Sequence, residues 1–586
     1  MKTQMTTLRQ GMGRLAVAAA ALGAAVAPAG AQDARVGLRA GTQDAAQAAW
    51  NMEVISHQAR PAGFFATDPE ADFGFSNTDL AFQGNHVFMG NYNGFLVYDI
   101  SNPSNPRLRA SVPCAGGQGD VSVYRNLVFL SVEETRGRLD CTANGVADSV
   151  STERFRGVRI FDISNLDRPR LVGAVQTCRG SHTHTLVPNP RDPSRVYVYV
   201  QGTSRVRSGS ELAGCSNRPP AEDPNTSFFR IEIIEVPLAA PQQARIVNAP
   251  RLFADAQGNI AGLWAGGRHG EGTQSTNVTN QCHDITAYPE IGLAAGACSG
   301  NGILLDIRDP ANPVRVDEVV DPNFAYWHSA TFNNAGTTVL YTDEWGGGSA
   351  ARCQATDRRE WGANALFTVQ GHDLRHAGYY KLPAPQTAQE NCVAHNGSLV
   401  PVPGRDIMAQ AWYQGGISVF DFTDPARPVE LAYFDRGPMN ASELSVGGFW
   451  SAYWYNGRIY GSEIGRGFDV FRLTPSAHLT QNEIDAASLV RMTEWNPQHQ
   501  QRVTWPAHFS VAKAYVDQLV RSRGLGPNRM VRLQQEVEAA ERMRGAQRRT
   551  ALMRIATQLD GEAAASRDGA KVRMLAGVLR ELASAR

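Results

Sequence analysis

Gly94-Phe95-Leu96-Val97-Tyr98-Asp99-Ile100-Ser101-Asn102-Pro103 recurs three more times along this chain. The copies are Gly157-Val158-Arg159-Ile160-Phe161-Asp162-Ile163-Ser164-Asn165, Gly302-Ile303-Leu304-Leu305-Asp306-Ile307-Arg308-Asp309-Pro310 and Gly416-Ile417-Ser418-Val419-Phe420-Asp421-Phe422-Thr423-Asp424-Pro425. In each, glycine opens a β-rich apolar run and aspartate closes it (Asp99, Asp162, Asp306, Asp421). Asn, Asp and Pro residues that cannot continue a ladder then turn the chain. A second β run follows, residues 107–112 after the first copy and 429–434 after the last. Strand, tight turn, strand is the outer half of a four-stranded antiparallel unit. The inner half precedes it: residues 79–82 and 86–89 before the first copy, residues 120–123 and 127–130 before the second.

Weaker copies start at His184, His328 and Trp450, which makes seven inner strands beginning near Asp79, Asp120, His184, His283, His328, His395 and Trp450. Repetition at this spacing in 586 residues is the signature of a ring of blades, which leaves few exposed sheet edges. The expected fold is therefore mainly β, a seven-bladed β-propeller over residues 50–475. The last copy lacks a fourth strand, and the β run at residues 50–57 can supply it and close the ring.

The repeated strand ending in Asp99, Asp162, Asp306 and Asp421 resembles the LVIVD-repeat family. That resemblance implies an exported, bacterial-type β-propeller and gives architecture without chemistry. The pattern of histidines described next is also similar to that of the selenium-binding protein (methanethiol oxidase) propellers, in which central histidines are associated with copper. No paired-cysteine motif of that family is present here, so its thiol chemistry is not implied.

In a propeller, the inner strand of every blade lines the central channel and its first residues meet at one rim. Four consecutive inner strands here begin with histidine: His184, His283, His328 and His395. Neutral imidazole suits copper, zinc, iron or nickel, so these four form a candidate metal site, with copper the first choice and zinc the second. His182, two residues before His184, is expected on the same strand face as a further ligand. Asp284, Asp79 and Asp120 are placed to orient imidazoles or neutralise the ion. A wet channel lined by structural histidines is the competing reading.

The eight cysteines (Cys114, Cys141, Cys178, Cys215, Cys282, Cys298, Cys353, Cys392) all precede residue 393 and include no CxxC pair. Their even number fits a disulfide framework in an oxidising compartment. Cys114 with Cys178 and Cys141 with Cys215 occupy equivalent places in neighbouring blades and are attractive among many pairings. Residues 1–31 read as a cleaved signal peptide, with Arg9 and Arg14 before an apolar run and Ala29-Gly30-Ala31 as the cleavage site. A linker at residues 32–49 follows, and the protein is expected to be secreted or periplasmic, with no membrane span when mature. Lysine plus arginine equals aspartate plus glutamate at 56 each, so no global field favours nucleic acid.

After Pro475 the apolar spacing becomes helical, and residues 476–586 are expected to form a small α-helical domain, with Thr480 and Glu483 as a capping box. His499 and His508 are expected to be surface or packing residues. The sequence thus supports an exported metalloprotein, an oxidoreductase if its ion is redox-active. The alternative is a non-catalytic scaffold that binds a protein, glycan or small molecule at the Cys/His-rich face.

Overall fold

The computed structural model describes residues 32–62, 76–142 and 145–585. The signal peptide expected at residues 1–31 lies outside them. Three of the four repeat copies, those of Gly94, Gly157 and Gly416, begin with the same close approach, whereas Gly302 packs against the Trp327 ring. Gly94 has φ 138°, and a Cβ on it would collide with the carbonyl oxygen of Val112 at the end of the following strand. The closing aspartates work as expected for turn residues. Asp99 Oδ1 accepts from Ser101 N at 2.9 Å, Asp162 Oδ1 from Ser164 N at 2.8 Å, Asp306 Oδ1 from Arg308 N at 3.0 Å and Asp421 Oδ1 from Thr423 N at 2.8 Å.

Antiparallel four-stranded sheets follow one another along the chain. The first is Asn77–Gln83, His86–Asn91, Gly94–Asp99 and Arg107–Pro113, in that order. The second runs from Val121–Tyr124 to Arg170–Gln176, the third from His184–Pro188 to Arg245–Asn248, the fourth from Asp284–Tyr288 to Val314–Val319, and the fifth from Trp327–Phe332 to Asp373–Tyr380. Asn396–Val400, Ile407–Ala411, Ile417–Asp421 and Val429–Arg436 then pair in order, as do Phe449–Tyr455, Arg458–Glu463 and Gly467–Leu473. These last two groups merge where Asn396 and Gly397 bridge in parallel to Ser451 and Ala452. Apolar side chains between adjacent sheets are fully buried, for example Leu80, Met89 and Leu96 against Val470. Faces covered on both sides explain why these strands read as continuous apolar runs.

Met52–Ala59 lies antiparallel to Gly467–Leu473, with Met52 opposite Leu473 and Ala59 opposite Gly467. Gly467 has φ 137°, and there a Cβ would strike the carbonyl oxygen of Gln58, as Val112 blocks Gly94. Gln47–Trp50, not foreseen from the sequence, adds a further strand on Val429–Arg436.

Five helices follow: α1 (Gln481–Ser488), α2 (Phe509–Ser522), α3 (Pro527–Arg542), α4 (Gly545–Ala563) and α5 (Gly569–Ser584). The Thr480/Glu483 capping box starts α1. Leu519, Leu533, Leu552, Leu559 and Leu575 form the helical core. Glu483 accepts from Arg405 at 3.0 Å and from Arg521 at 2.6 Å, tying helices to the sheet that carries Asp421. No described helix is long and apolar enough to cross a membrane.

All eight cysteines are paired, but the inter-blade pairings expected above are not formed. The bonds are Cys114–Cys141, Cys178–Cys215, Cys282–Cys298 and Cys353–Cys392. In the first two, the cysteine before an inner strand reaches the insertion of its own sheet, so each bond staples a long loop to the strand beneath it. Crosslinks of 16 to 39 residues contribute about 3–4 kcal/mol each in the chain-entropy account. Peptide mapping under non-reducing conditions should recover these four pairs; a Cys114–Cys178 peptide would contradict the fold. Asp99 is held down to about pH 2 by the Ser101 backbone N–H, with help from the Ser101 hydroxyl and Arg107. A depressed carboxyl stabilises above its unfolded pKa near 4, and the contribution disappears as pH falls through about 2. Asp99→Ala should therefore cost about 1 kcal/mol at neutral pH, read by urea melts, with the difference from wild type shrinking in acid.

Candidate metal centre

The inner strands bring four imidazoles to one end of the channel, and they are not quite the four expected. The ring of His283 lies 3.9 Å (centroid to centroid) from that of His328, which lies 4.3 Å from that of His395. His182 joins them on the other side, with its Nε2 2.8 Å from Nε2 of His283. His184 does not reach this group. The chain bends at residues 182–183 and the strand starts only at His184, so the two histidines do not share a face. The His184 ring turns outward between sheets, with Nδ1 2.8 Å from Ser131 Oγ and Phe129 beside it. Burial alone lowers its pKa to about 3.

Every ring in the cluster has its Nδ1 committed elsewhere. His182 Nδ1 donates to Glu133 Oε1 at 2.7 Å, and His283 Nδ1 donates to Asp284 Oδ1 at 3.1 Å. Nδ1 of His395 donates to the Trp450 carbonyl at 2.5 Å, and that of His328 bonds Thr342 Oγ1 at 3.1 Å. These partners direct all four Nε2 atoms inward, as outer-shell groups do around metal-binding histidines. The Nε2 atoms of His328 and His395 are buried without a hydrogen-bond partner among the described residues.

Glu344, missed in the sequence, completes the cluster. Its carboxylate lies 3.8 Å from His328 Nε2 and 3.5 Å from His395 Nε2. Ligand atoms of His283, His328 and Glu344 all lie within 4.8 Å of one another. Tyr413 donates to Glu344 Oε1 at 2.5 Å from a backbone at φ 53°, a conformation a tyrosine rarely adopts. The signal for Glu344 was positional: it follows the second strand of its sheet directly, as Glu133 does in another.

The electrostatics divide the cluster: His328 and His395 are kept neutral, His182 is drawn toward the charged form, and burial raises Glu344. Burial lowers His395 to about 3, and burial with the neighbouring histidines lowers His328 well below its ordinary value. At His182 burial is outweighed by Glu133, which raises its pKa. Burial would raise Glu133 and Asp284, but His182 and His283 respectively hold them low and ionised. Asp79 and Asp120 lie elsewhere in the channel. Asp79 accepts from Ser451 at 2.5 Å and from Tyr453, and Asp120 accepts from Gln118 at 3.3 Å. Burial raises Asp79 to about 6.

Above the cluster opens a cavity of about 690 Å³, lined by Tyr92, Tyr326, Trp345, Tyr413 and Trp450 together with His182, His283 and Glu344. Among the described residues lining it there is no lysine or arginine. Trp345 is held in a stack, with Trp361 at 5.3 Å and the Arg352 guanidinium 4.3 Å from its ring.

The family comparison bears on the sheets that carry this site. Residues 76–113 match the LVIVD repeat. The matched span contains all four strands of the first sheet, so one LVIVD repeat corresponds to one propeller blade, inner strand included. No curated protein matches the chain. Among solved structures, the periplasmic gluconolactonase of Pseudomonas aeruginosa is similar at 10% identity and a TM-score of 0.40, over 66% of this chain and 89% of that one. A protein from Lactobacillus plantarum is similar at 9% identity and 0.37, over 62% and 83%. The computationally designed Ika8 protein is similar at 9% and 0.33, over 68% and 96%. These low scores say nothing about activity.

Gly348, at φ 73°, tests how tightly the Glu344–Tyr413 pair is packed, because a Cβ there would overlap Tyr413 Oη and crowd Glu344. Gly348→Ala should lower stability by about 1–3 kcal/mol in urea melts. A neutral effect would mean that the pair is loose.

Proposed function

We propose that this chain is an exported metalloprotein that holds one ion, copper first and zinc second, at the mouth of a seven-bladed propeller. The observation that carries the reading is the contact between His182 and His283. Glu133 and Asp284 are ionised and can only accept, so both rings spend their Nδ1 protons on them. Two Nε2 lone pairs then face each other at 2.8 Å, and only a cation between them makes that stable. A proton can serve, but His328 and His395 direct two further bare Nε2 atoms at the same region. Two nitrogens each about 2.0 Å from one ion, at right angles, lie about 2.8 Å apart. A ligand set dominated by imidazole nitrogen suits copper first and zinc second.

The proposed ligands are His182, His283, His328 and His395, with Glu344 as a fifth donor or counter-charge. His184 is left out because it points away from the cluster. A bound copper would supply one-electron chemistry. The chain's own residues fix the ligand tautomers, keep His328 and His395 neutral by burial, and offer the aromatic cavity to a substrate. With no lysine or arginine among its described lining residues and five aromatic side chains on its wall, that cavity suits an apolar or aromatic substrate portion. With a redox-active ion the site would serve an oxidoreductase.

The ring is proposed to close through Met52–Ala59, which stands to Gly467 as the fourth strand of the first blade stands to Gly94. Asn77 Nδ2 also donates to the carbonyls of Glu463 and Gly467, joining the first sheet to the last. Residues 476–586 form the appended helical region. Four disulfides support an oxidising compartment outside the cytoplasm.

Elemental analysis of protein made in an oxidising compartment tests this reading. About one equivalent of copper or zinc per chain is expected, lost in His283→Ala and His395→Ala and retained in His184→Ala. Loss in His184→Ala with retention in His182→Ala would overturn the ligand set. Metal-free protein, even after reconstitution, would leave the scaffold reading.

A further inference from the structure

The segment between α1 and α2, residues 489–508, closes the channel at the end opposite the histidines. Glu494–Trp495 pairs with Phe82 and Gln83 at the end of the first inner strand. Asn496 exchanges two hydrogen bonds with the Val123 backbone, at 2.6 and 2.7 Å. Ala287 N donates to the Gln498 carbonyl at 2.9 Å, and Gln500 N donates back to Ala287 at 2.8 Å. Gln500 then bonds the Phe332 backbone at 2.8 and 3.0 Å, and Trp505 Nε1 donates to Pro401 at 2.8 Å. The strap thus crosses from one inner strand to the next, held by polar contacts on every sheet it reaches.

One residue of the strap does more than anchor it. Gln498 sits at φ 52°, an unusual conformation for a non-glycine residue, and its side chain enters the channel. Its Nε2 donates to Asp284 Oδ2 at 3.2 Å, while Oδ1 of the same carboxylate accepts from His283 Nδ1 at 3.1 Å. Gln498 and Asp284 are both buried. A buried carboxylate with one oxygen unpaired could rotate away from the imidazole, and Gln498 together with the Thr183 hydroxyl restricts that freedom.

We propose that Gln498 is a positioning residue of the metal centre: it fixes Asp284, which fixes the tautomer and direction of His283. This rests on the metal reading given above. The C-terminal region thereby completes, from the far end of the channel, a site whose ligands all belong to the sheets. Removing such outer groups typically weakens metal binding 10–100-fold.

The test is chelator competition for Cu²⁺ on the full chain, with melting temperatures measured alongside. Gln498→Met keeps the volume and removes the donor; Asn496→Ala loosens the strap without touching Asp284. Gln498→Met, one bond further out than Asp284, should bind Cu²⁺ more weakly by up to about 10-fold, while Asn496→Ala lowers the melting temperature and leaves affinity near wild type. In an Asp284→Asn background, adding Gln498→Met should have no further effect on affinity. Unchanged affinity in Gln498→Met, or equal weakening by both strap variants, would overturn the inference. Absence of Cu²⁺ binding by the wild-type chain would overturn the metal centre itself.

Discussion

Two carboxylate–imidazole pairs, Glu133–His182 and Asp284–His283, force two nitrogen lone pairs to face each other at 2.8 Å. Much of the channel mouth is arranged around this constraint. The carboxylates come from different sheets, so neither pair can relax without moving an inner strand. Burial keeps His328 and His395 neutral and raises Glu344, whose carboxylate lies beside both rings and is held by Tyr413.

The rest of the architecture serves to hold that geometry. Strand-end glycines and Asx turns set the registers, which place the first residue of each inner strand at the rim. The Cys282–Cys298 bond sits immediately before His283, and His283 N donates to the Ala297 carbonyl at 2.8 Å, so the ligand's backbone is clamped on both sides. Two of the positive-φ residues, Tyr413 and Gln498, lie here, where their side chains hold Glu344 and Asp284. Strain of this kind costs about 1–3 kcal/mol per residue and persists where surrounding contacts over-determine it.

The repeat was legible because glycine and aspartate leave a mark at every turn, and His283, His328 and His395 were legible because equivalent places in a ring meet at one point. What escaped notice depended on direction rather than position. His184 is the first residue of its strand whereas His283 and His395 immediately precede theirs, and the bend at residues 182–183 brings His182 to the cluster instead. Glu344 and Glu133 stand at equivalent places after second strands, a register that matters only once the inner strands are known to lie beside them. Cysteine pairing failed similarly. Equivalent loops in neighbouring blades look matched in sequence, whereas the short path runs from each loop down to the strand beneath it. Gln498 lies in a stretch without periodicity, and nothing in its local sequence marks a side chain that reaches Asp284.

X-ray absorption at the metal edge of the purified, copper-loaded protein tests the central claim most directly. Three or four imidazole nitrogens at about 2.0 Å, with at most one oxygen and no sulfur, are predicted. A sulfur shell near 2.3 Å, or a purely oxygen shell, would contradict the account.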